Sequence, residues 1–190
     1  MLELGNIPTL QRPGVPNGGF MNRKTQLLLV LLGVSMLAVP AAFAADYSLA
    51  NGAVRFSAPD AWPVLMEKQD GARQFVALQV KDPSNHQALA RITVTTEKVD
   101  GVQGFQTFLD SGTERARKLP GYAAVNTPGS TSSLRYTATE NHEKNAYDEH
   151  YAFRSNLAIQ VRCVRPANAP AEWRNTFDAG CQSIVTSIER

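Results

Sequence analysis

Two cysteines, three histidines and a scatter of arginines are the residues of this chain best suited to chemistry. Cys163 and Cys181 have seventeen residues between them and no third thiol to compete. A redox-active pair favours Cys-x-x-Cys spacing in an exposed, electropositive setting, and the sequence offers neither. The pair suits a structural disulfide, whose loop closure contributes about 3 kcal/mol in the chain-entropy account. Two buried free thiols are the competing reading.

The histidines are His86, His142 and His150. His142-Glu143 and Asp148-Glu149-His150 flank one expected hairpin turn, where a divalent metal is conceivable. No recognised ligand spacing is present, and the expected register sets His150 nearer Thr139 than His142. A solvated polar hairpin is the better reading, and no metal is assigned. Nucleophilic catalysis needs an activated serine or thiol. The G-x-S-x-G elbow is missing, and Ser111, within Asp110-Ser111-Gly112, falls on the solvent side of an expected helix. Pro128-Gly129-Ser130-Thr131-Ser132 carries no Walker lysine, so neither a phosphate loop nor a cofactor is expected. The expectation is a chain without catalytic residues.

Arg91, Arg135, Arg154 and Arg162 fall at strand positions opposite the apolar ones. On adjacent strands they would form one basic stripe, able to meet an acidic protein partner or an anionic ligand. Cross-strand ion pairs with Glu97, Asp148 and their neighbours would turn the same stripe into an ordinary solvated face. The acidic residues Glu140, Glu143, Asp148 and Glu149, expected around a hairpin tip, are a second contact surface of the same kind.

Strands and helices must position these groups. Leu157, Ile159, Val161 and Cys163 share one side of a period-two strand. Trp173, Phe177, Cys181, Ile184 and Ile188 recur at helical spacing, so both cysteines lie on faces that seek burial. Upstream, Tyr47–Ala50 and Ala53–Ser57 read as a hairpin about an Asn51-Gly52 type I′ turn. Pro59 and Pro63 end that strand, Trp62 folds back as a core plug, and Val64–Met66 is a further short strand. Gln74–Val80 and Leu89–Glu97 alternate, the first burying Val76, Leu78 and Val80 and the second Ala90, Ile92 and Val94. That alternation implies a sheet with one face more solvated than the other. Phe105, Phe108, Leu109, Gly112, Ala116 and Leu119 trace a helix that Pro120-Gly121 stops. Three strands follow, turning at Glu143-Lys144-Asn145 and at Ser155-Asn156, before the closing helix. The class is α+β: an antiparallel sheet of about six to seven strands flanked by two main helices.

The beginning of the chain belongs elsewhere. Met21-Asn22-Arg23-Lys24 is a basic start, Leu27–Val39 an apolar middle, and Ala42-Phe43-Ala44 a small-residue end. Residues 21–44 therefore read as a secretory signal peptide cleaved between Ala44 and Ala45. Its apolar run falls short of the roughly 20 residues that span a bilayer. Residues 1–20 show no periodicity and read as a mispredicted extension, with Met21 the true start; an unusually long n-region of the signal peptide is the alternative. Residues 45–190 then form a single mature domain, and a hydrophobic fraction of 43% can supply its core. Three basic residues and one acidic residue precede Ala45, leaving 16 of each sign. A neutral domain predicts no nucleic-acid partner. With no cysteine at the cleavage point, no stable membrane anchor is expected after processing. An oxidising compartment, most simply the bacterial periplasm, is the expected location.

The order of elements, with Phe56-x-x-Pro59-x-x-Trp62 after the first strand and a terminal Ile184-x-x-Ser187-Ile188, resembles the Mog/PsbP-like family. That family includes small bacterial envelope proteins similar to DcrB. The resemblance implies an antiparallel sheet sandwiched between helices and a role in binding, assembly or chaperoning. It carries over no catalytic residue. The sequence expectation is thus a secreted, non-catalytic protein that binds another protein, in envelope assembly, stress or toxin immunity. The alternative is a periplasmic carrier of a small ligand, lodged between sheet and helix near Trp62 and Phe105.

Overall fold

Alternating side chains give each strand two distinct rows, and a sheet can cover each row with a different layer. The computed structural model describes residues 44–82, 90–125 and 132–190. The expected extension and all of the expected signal except Ala44 lie outside the described residues, as do His86 and most of the Pro128–Ser132 segment.

In chain order the elements are β1 (Ala44–Leu49), β2 (Val54–Pro59), β3 (Val64–Lys68), β4 (Arg73–Val80), β5 (Ala90–Lys98), α1 (Gly101–Arg117), β6 (Ala123–Ala124), β7 (Ser133–Glu140), β8 (Glu143–Arg154), β9 (Leu157–Pro166) and α2 (Ala171–Glu189). Strands β3 to β9 form one seven-stranded antiparallel sheet in the order β3–β4–β5–β9–β8–β7–β6. The β1–β2 hairpin is a separate two-stranded unit. The α+β class stands, with the first hairpin outside the main sheet.

One sheet face is apolar and lies under α2 and the β1–β2 hairpin. Val76, Leu78, Ile92, Val94, Ile159 and Val161 point into it and are buried. Helix α2 meets them with Phe177, Ile184, Val185 and Ile188, and the hairpin with Leu49, Val54 and Phe56. Each of these side chains contributes about 1.5–3 kcal/mol on burial, so this layer supplies most of the stability. The Cys163–Cys181 disulfide crosses it, with Cα atoms 6.2 Å apart, and ties β9 to α2. The two-thiol alternative is thereby removed. Trp62 does plug this layer: its ring lies against Gly180 of α2, where an added Cβ would run into it.

Helix α1 lies on the other face. Phe108 meets Tyr151 edge-on at 6.1 Å, and Phe105 stacks on Phe153 at 5.4 Å. Ala116 packs with Tyr136, Ala138, Tyr147 and Val164. This is the face expected to be the more solvated one on β4 and β5, where Arg91, Thr93 and Thr95 line an open cleft. Over β7, β8 and β9, α1 and a group of tyrosines cover it.

Two turns differ from expectation. β1 and β2 pair from Leu49 to Val54, so the connection has four residues and not the two of a type I′ turn. Ala50, Asn51 and Gly52 all take positive φ, at 51°, 55° and 86°. The Ala50 N–H donates to the Gln74 side chain at 2.7 Å, which anchors the loop to β4. The β7–β8 turn is Asn141-His142, with φ of 53° and 65°, and not Glu143–Asn145. Both residues are left-handed, as a two-residue hairpin of the right twist requires. The shift moves every later pairing in β8 and puts His150 opposite Ser133 and not near Thr139.

Candidate functional site

Strand β8 places Tyr147, Glu149, Tyr151 and Phe153 in one row facing α1. Three of these are aromatic, so the row is built for burial, and Glu149 goes in with it at 2% exposure. A buried carboxylate survives only if its oxygens are fully engaged. Here the Tyr136 hydroxyl donates to Oε1 at 2.7 Å, and the Tyr151 hydroxyl donates to Oε2 at 2.5 Å. Gln160 Nε2 also donates to Oε2, at 2.8 Å. Arg162, directly across the β8–β9 ladder, brings its Nε to 3.0 Å from Oε1. That N–H points off the carboxylate line, so the contact is an ion pair more than an aligned hydrogen bond.

Arg162 is held from three directions. Besides the ion pair, its Nη2 donates to the Tyr136 hydroxyl at 3.2 Å, and its guanidinium lies 5.1 Å from the Tyr147 ring centre. The Tyr147 and Tyr136 rings stack at 4.6 Å. A second carboxylate continues the network: Glu140 accepts the Tyr147 hydroxyl at 3.0 Å and a fork from Arg91 Nη2 at 2.8 and 3.0 Å.

This wiring fixes protonation. Burial, and then the charge of Glu149, push the Tyr136 and Tyr151 phenols well up. Burial and Glu140 push Tyr147 up to about 12. For Arg162, burial pulls down, but the Glu149 charge and the tyrosine hydroxyls outweigh it and raise it. Burial likewise opposes ionisation of Glu140, and the hydrogen bonds and charge of Arg91 more than reverse that. None of these shifts brings a group toward neutrality. The shifted groups are fixed donors and acceptors, not acids or bases poised for exchange.

The phenol shifts have a consequence at high pH. A phenol whose folded pKa exceeds its unfolded value of 10.0 contributes stability that is complete below 10.0 and lost as pH rises through the folded value. Tyrosinate absorbance should therefore lag the ordinary titration and then rise together with unfolding. Three phenols titrating normally while the fold persists would contradict this.

Beside the network, past the edge of α1, lies a cleft of about 310 Å³. Arg73, Phe75, Arg91, Thr93 and Thr95 come from β4 and β5, and Glu149, Gln160 and Arg162 from β8 and β9. Gly112, Arg115 and Ala116 of α1 complete it. Gly112 is small for a reason: a Cβ there would collide with the Tyr151 hydroxyl. Gly112→Ala should gain about 1 kcal/mol of helix propensity. It should lose more, about 2–4 kcal/mol, through overpacking and a displaced hydrogen bond to a buried charge. Urea unfolding reads the net loss.

The four arginines expected to form one stripe do not share a face. Arg91 and Arg162 belong to the α1 side, in rows with Tyr147 and Glu149. Arg135 pairs with Asp148 in the row of Cys163 on the α2 side, and Arg154 is on that side too, its Nη2 donating to the Ala53 carbonyl at 3.4 Å. Trp62 and Phe105 also lie on opposite faces, Trp62 against α2 and Phe105 against Phe153, so they cannot line one pocket. The expected acidic tip is likewise broken up, because Glu149 is buried and Asp148 is held between Arg135 at 2.9 Å and His150 at 3.0 Å. His142 sits in the turn, and among the described residues no three His, Cys, Asp or Glu come together as metal ligands. The Glu149 network was missed in the sequence. Its signal was there: a carboxylate two residues from Tyr147 and two from Tyr151, in an otherwise aromatic row.

An antiparallel sheet between two helices, carrying a buried Arg–Glu–Tyr network, defines an α+β sandwich protein. No family model matches the chain, and no curated protein does. Similar solved structures include the protein of unknown function PA94 from Pseudomonas aeruginosa, at 17% identity and a TM-score of 0.43 over 74% of this chain and 94% of that one. LpqN, involved in cell envelope biogenesis of Mycobacterium tuberculosis, is similar at 16% identity and a TM-score of 0.39 over 70% and 78%. The PsbP (CyanoP) of Synechocystis sp. PCC 6803 is similar at 12% identity and a TM-score of 0.40 over 77% and 94%. A PsbP, of the family that the sequence resembles, is thus among them. At these scores none assigns a function to this chain.

Proposed function

We propose that this chain is an exported periplasmic protein that works by binding a protein partner and not by catalysis. The observation that carries this reading is the contrast on the α1 face. Its Tyr136, Tyr147 and Tyr151 phenols are pushed up by burial and neighbouring carboxylates, Arg162 is raised and Glu140 lowered, while an arginine-lined cleft stays open beside them. Fixed charge next to an open concave surface suits recognition of an acidic partner. The disulfide fits an oxidising compartment, and no helix of the described residues is long and apolar enough to cross a membrane. Envelope assembly, stress and toxin immunity are the roles in view, and a toxin gene next door would favour the last.

Capture from envelope extract tests the reading. The purified protein should retain a partner in stoichiometric amount, and Arg115→Glu should release it. No stoichiometric partner across conditions would count against the whole class. The carrier alternative now rests on this cleft, since Trp62 and Phe105 are on opposite faces. Native mass spectrometry of freshly purified protein should show an added ligand mass if the carrier reading is right.

A further inference from the structure

We infer that the cleft beside α1 is an oxyanion seat, where Arg73, Arg91, Arg115 and Arg162 receive one carboxylate or phosphate group. The inference rests on the binding reading above and gives it a chemistry and an address.

Charge is the first ground. Four arginines line this space. Arg162 is paired with Glu149, Arg91 with Glu140 and Arg73, at 3.7 Å, with Glu97, which leaves the Arg115 charge in excess. Glu149 is already loaded with two tyrosine hydroxyls, the Gln160 amide and Arg162. The wall therefore carries an excess of one positive charge, from Arg115, in a partly enclosed space where screening by solvent is reduced.

Preorganisation is the second. Arg162 is pinned by Glu149, the Tyr136 hydroxyl and the Tyr147 ring, and Arg91 is forked on Glu140. Guanidinium groups already fixed by such neighbours lose little freedom when they take up a further acceptor. The other two arginines are more exposed and less tethered. Arg73 has only a long contact to Glu97 at 3.7 Å. Arg115 is exposed and makes no hydrogen bond or ion pair among the described residues. Two fixed and two adjustable arginines around one space make a floor and a clamp.

Shape is the third. Gly112 and Ala116, one turn apart on α1, put almost no side chain into the cleft and keep it open, and Thr93 and Thr95 add hydroxyls to its floor. At about 310 Å³ it lies at the small end of ligand sites, suited to one oxyanion on a short stem.

Titration of the purified protein with inorganic phosphate, and separately with succinate, at constant ionic strength tests this. Backbone amide shifts at Thr93 and Thr95 should saturate. Arg115→Gln and Arg73→Gln should each weaken binding about tenfold, the loss of one charge-assisted contact. Arg135→Gln, on the opposite face, should leave it unchanged. Drifting, unsaturable shifts, or equal loss in Arg135→Gln, would overturn the seat. Envelope capture repeated in phosphate, against chloride of equal ionic strength, distinguishes the sources. Release by phosphate places an acidic group of the partner in the seat. Saturable anion binding without release assigns the seat to a free anion. Capture that persists with no anion binding overturns the seat and leaves the binding reading standing, and anion binding with no capture does the reverse.

Discussion

Glu149→Ala is expected to lower the unfolding free energy by about 3–5 kcal/mol, the usual cost of stripping one partner from a buried ion pair. The removed carboxylate takes contacts from the Tyr136 and Tyr151 hydroxyls, the Gln160 amide and Arg162 together. Arg162 then remains as a half-buried cation with only a phenol oxygen and the Tyr147 ring for company. Urea unfolding should show the loss, and it should shrink sharply in the double variant Glu149→Leu, Arg162→Met. A buried pair replaced by apolar residues of similar volume is often close to neutral, because the desolvation of both charges disappears with them. A single variant costing less than about 1 kcal/mol would mean that water reaches Glu149 and that the pair behaves like a surface bridge.

Removing the disulfide, by Cys163→Ala with Cys181→Ala, should cost about 2–5 kcal/mol. The bond closes a loop of sequence separation 18 and also fills space in the layer between β9 and α2, so both chain entropy and packing are lost. The same helix is tied to the same strand by Arg165 and Asp178, at 2.7 and 3.1 Å. Asp178 is half exposed while Arg165 is mostly buried, and Asp178→Asn should cost about 1 kcal/mol. Comparing the two variants separates the covalent link from the ionic one across one interface. Thiol titration of denatured, unreduced protein should find no free thiol, and finding two would remove the covalent link altogether.

Much of this architecture was legible because burial has a period. Val76, Leu78 and Val80, or Leu157 to Cys163, repeat every second residue, and Phe177, Cys181, Ile184 and Ile188 repeat at helical spacing, so their burial could be read from the sequence. The two cysteines lay on such faces, and their pairing was legible too. The turns were less so. Ala50 is left-handed because its N–H finds Gln74, twenty-four residues away, and no local rule contains that contact. The Asn141-His142 turn was misplaced by a few residues. In a sheet with side chains alternating in and out, register decides which groups meet.

The arginines show where sequence stops. By itself it determined that Cys163 and Cys181 lie on buried faces, that antiparallel strands alternate with two main helices in an α+β order, and that Arg91, Arg135, Arg154 and Arg162 sit at polar strand positions. It could not say which polar positions share a side, because facing is relative between strands and only the pairing register fixes it. Tertiary structure sent Arg135 and Arg154 to the α2 side and joined Arg91 and Arg162 with Arg73 from β4 and Arg115 from α1. It also put Glu149 inside, where a strand with an aromatic row left it no other place and four donors from three strands make that place tolerable.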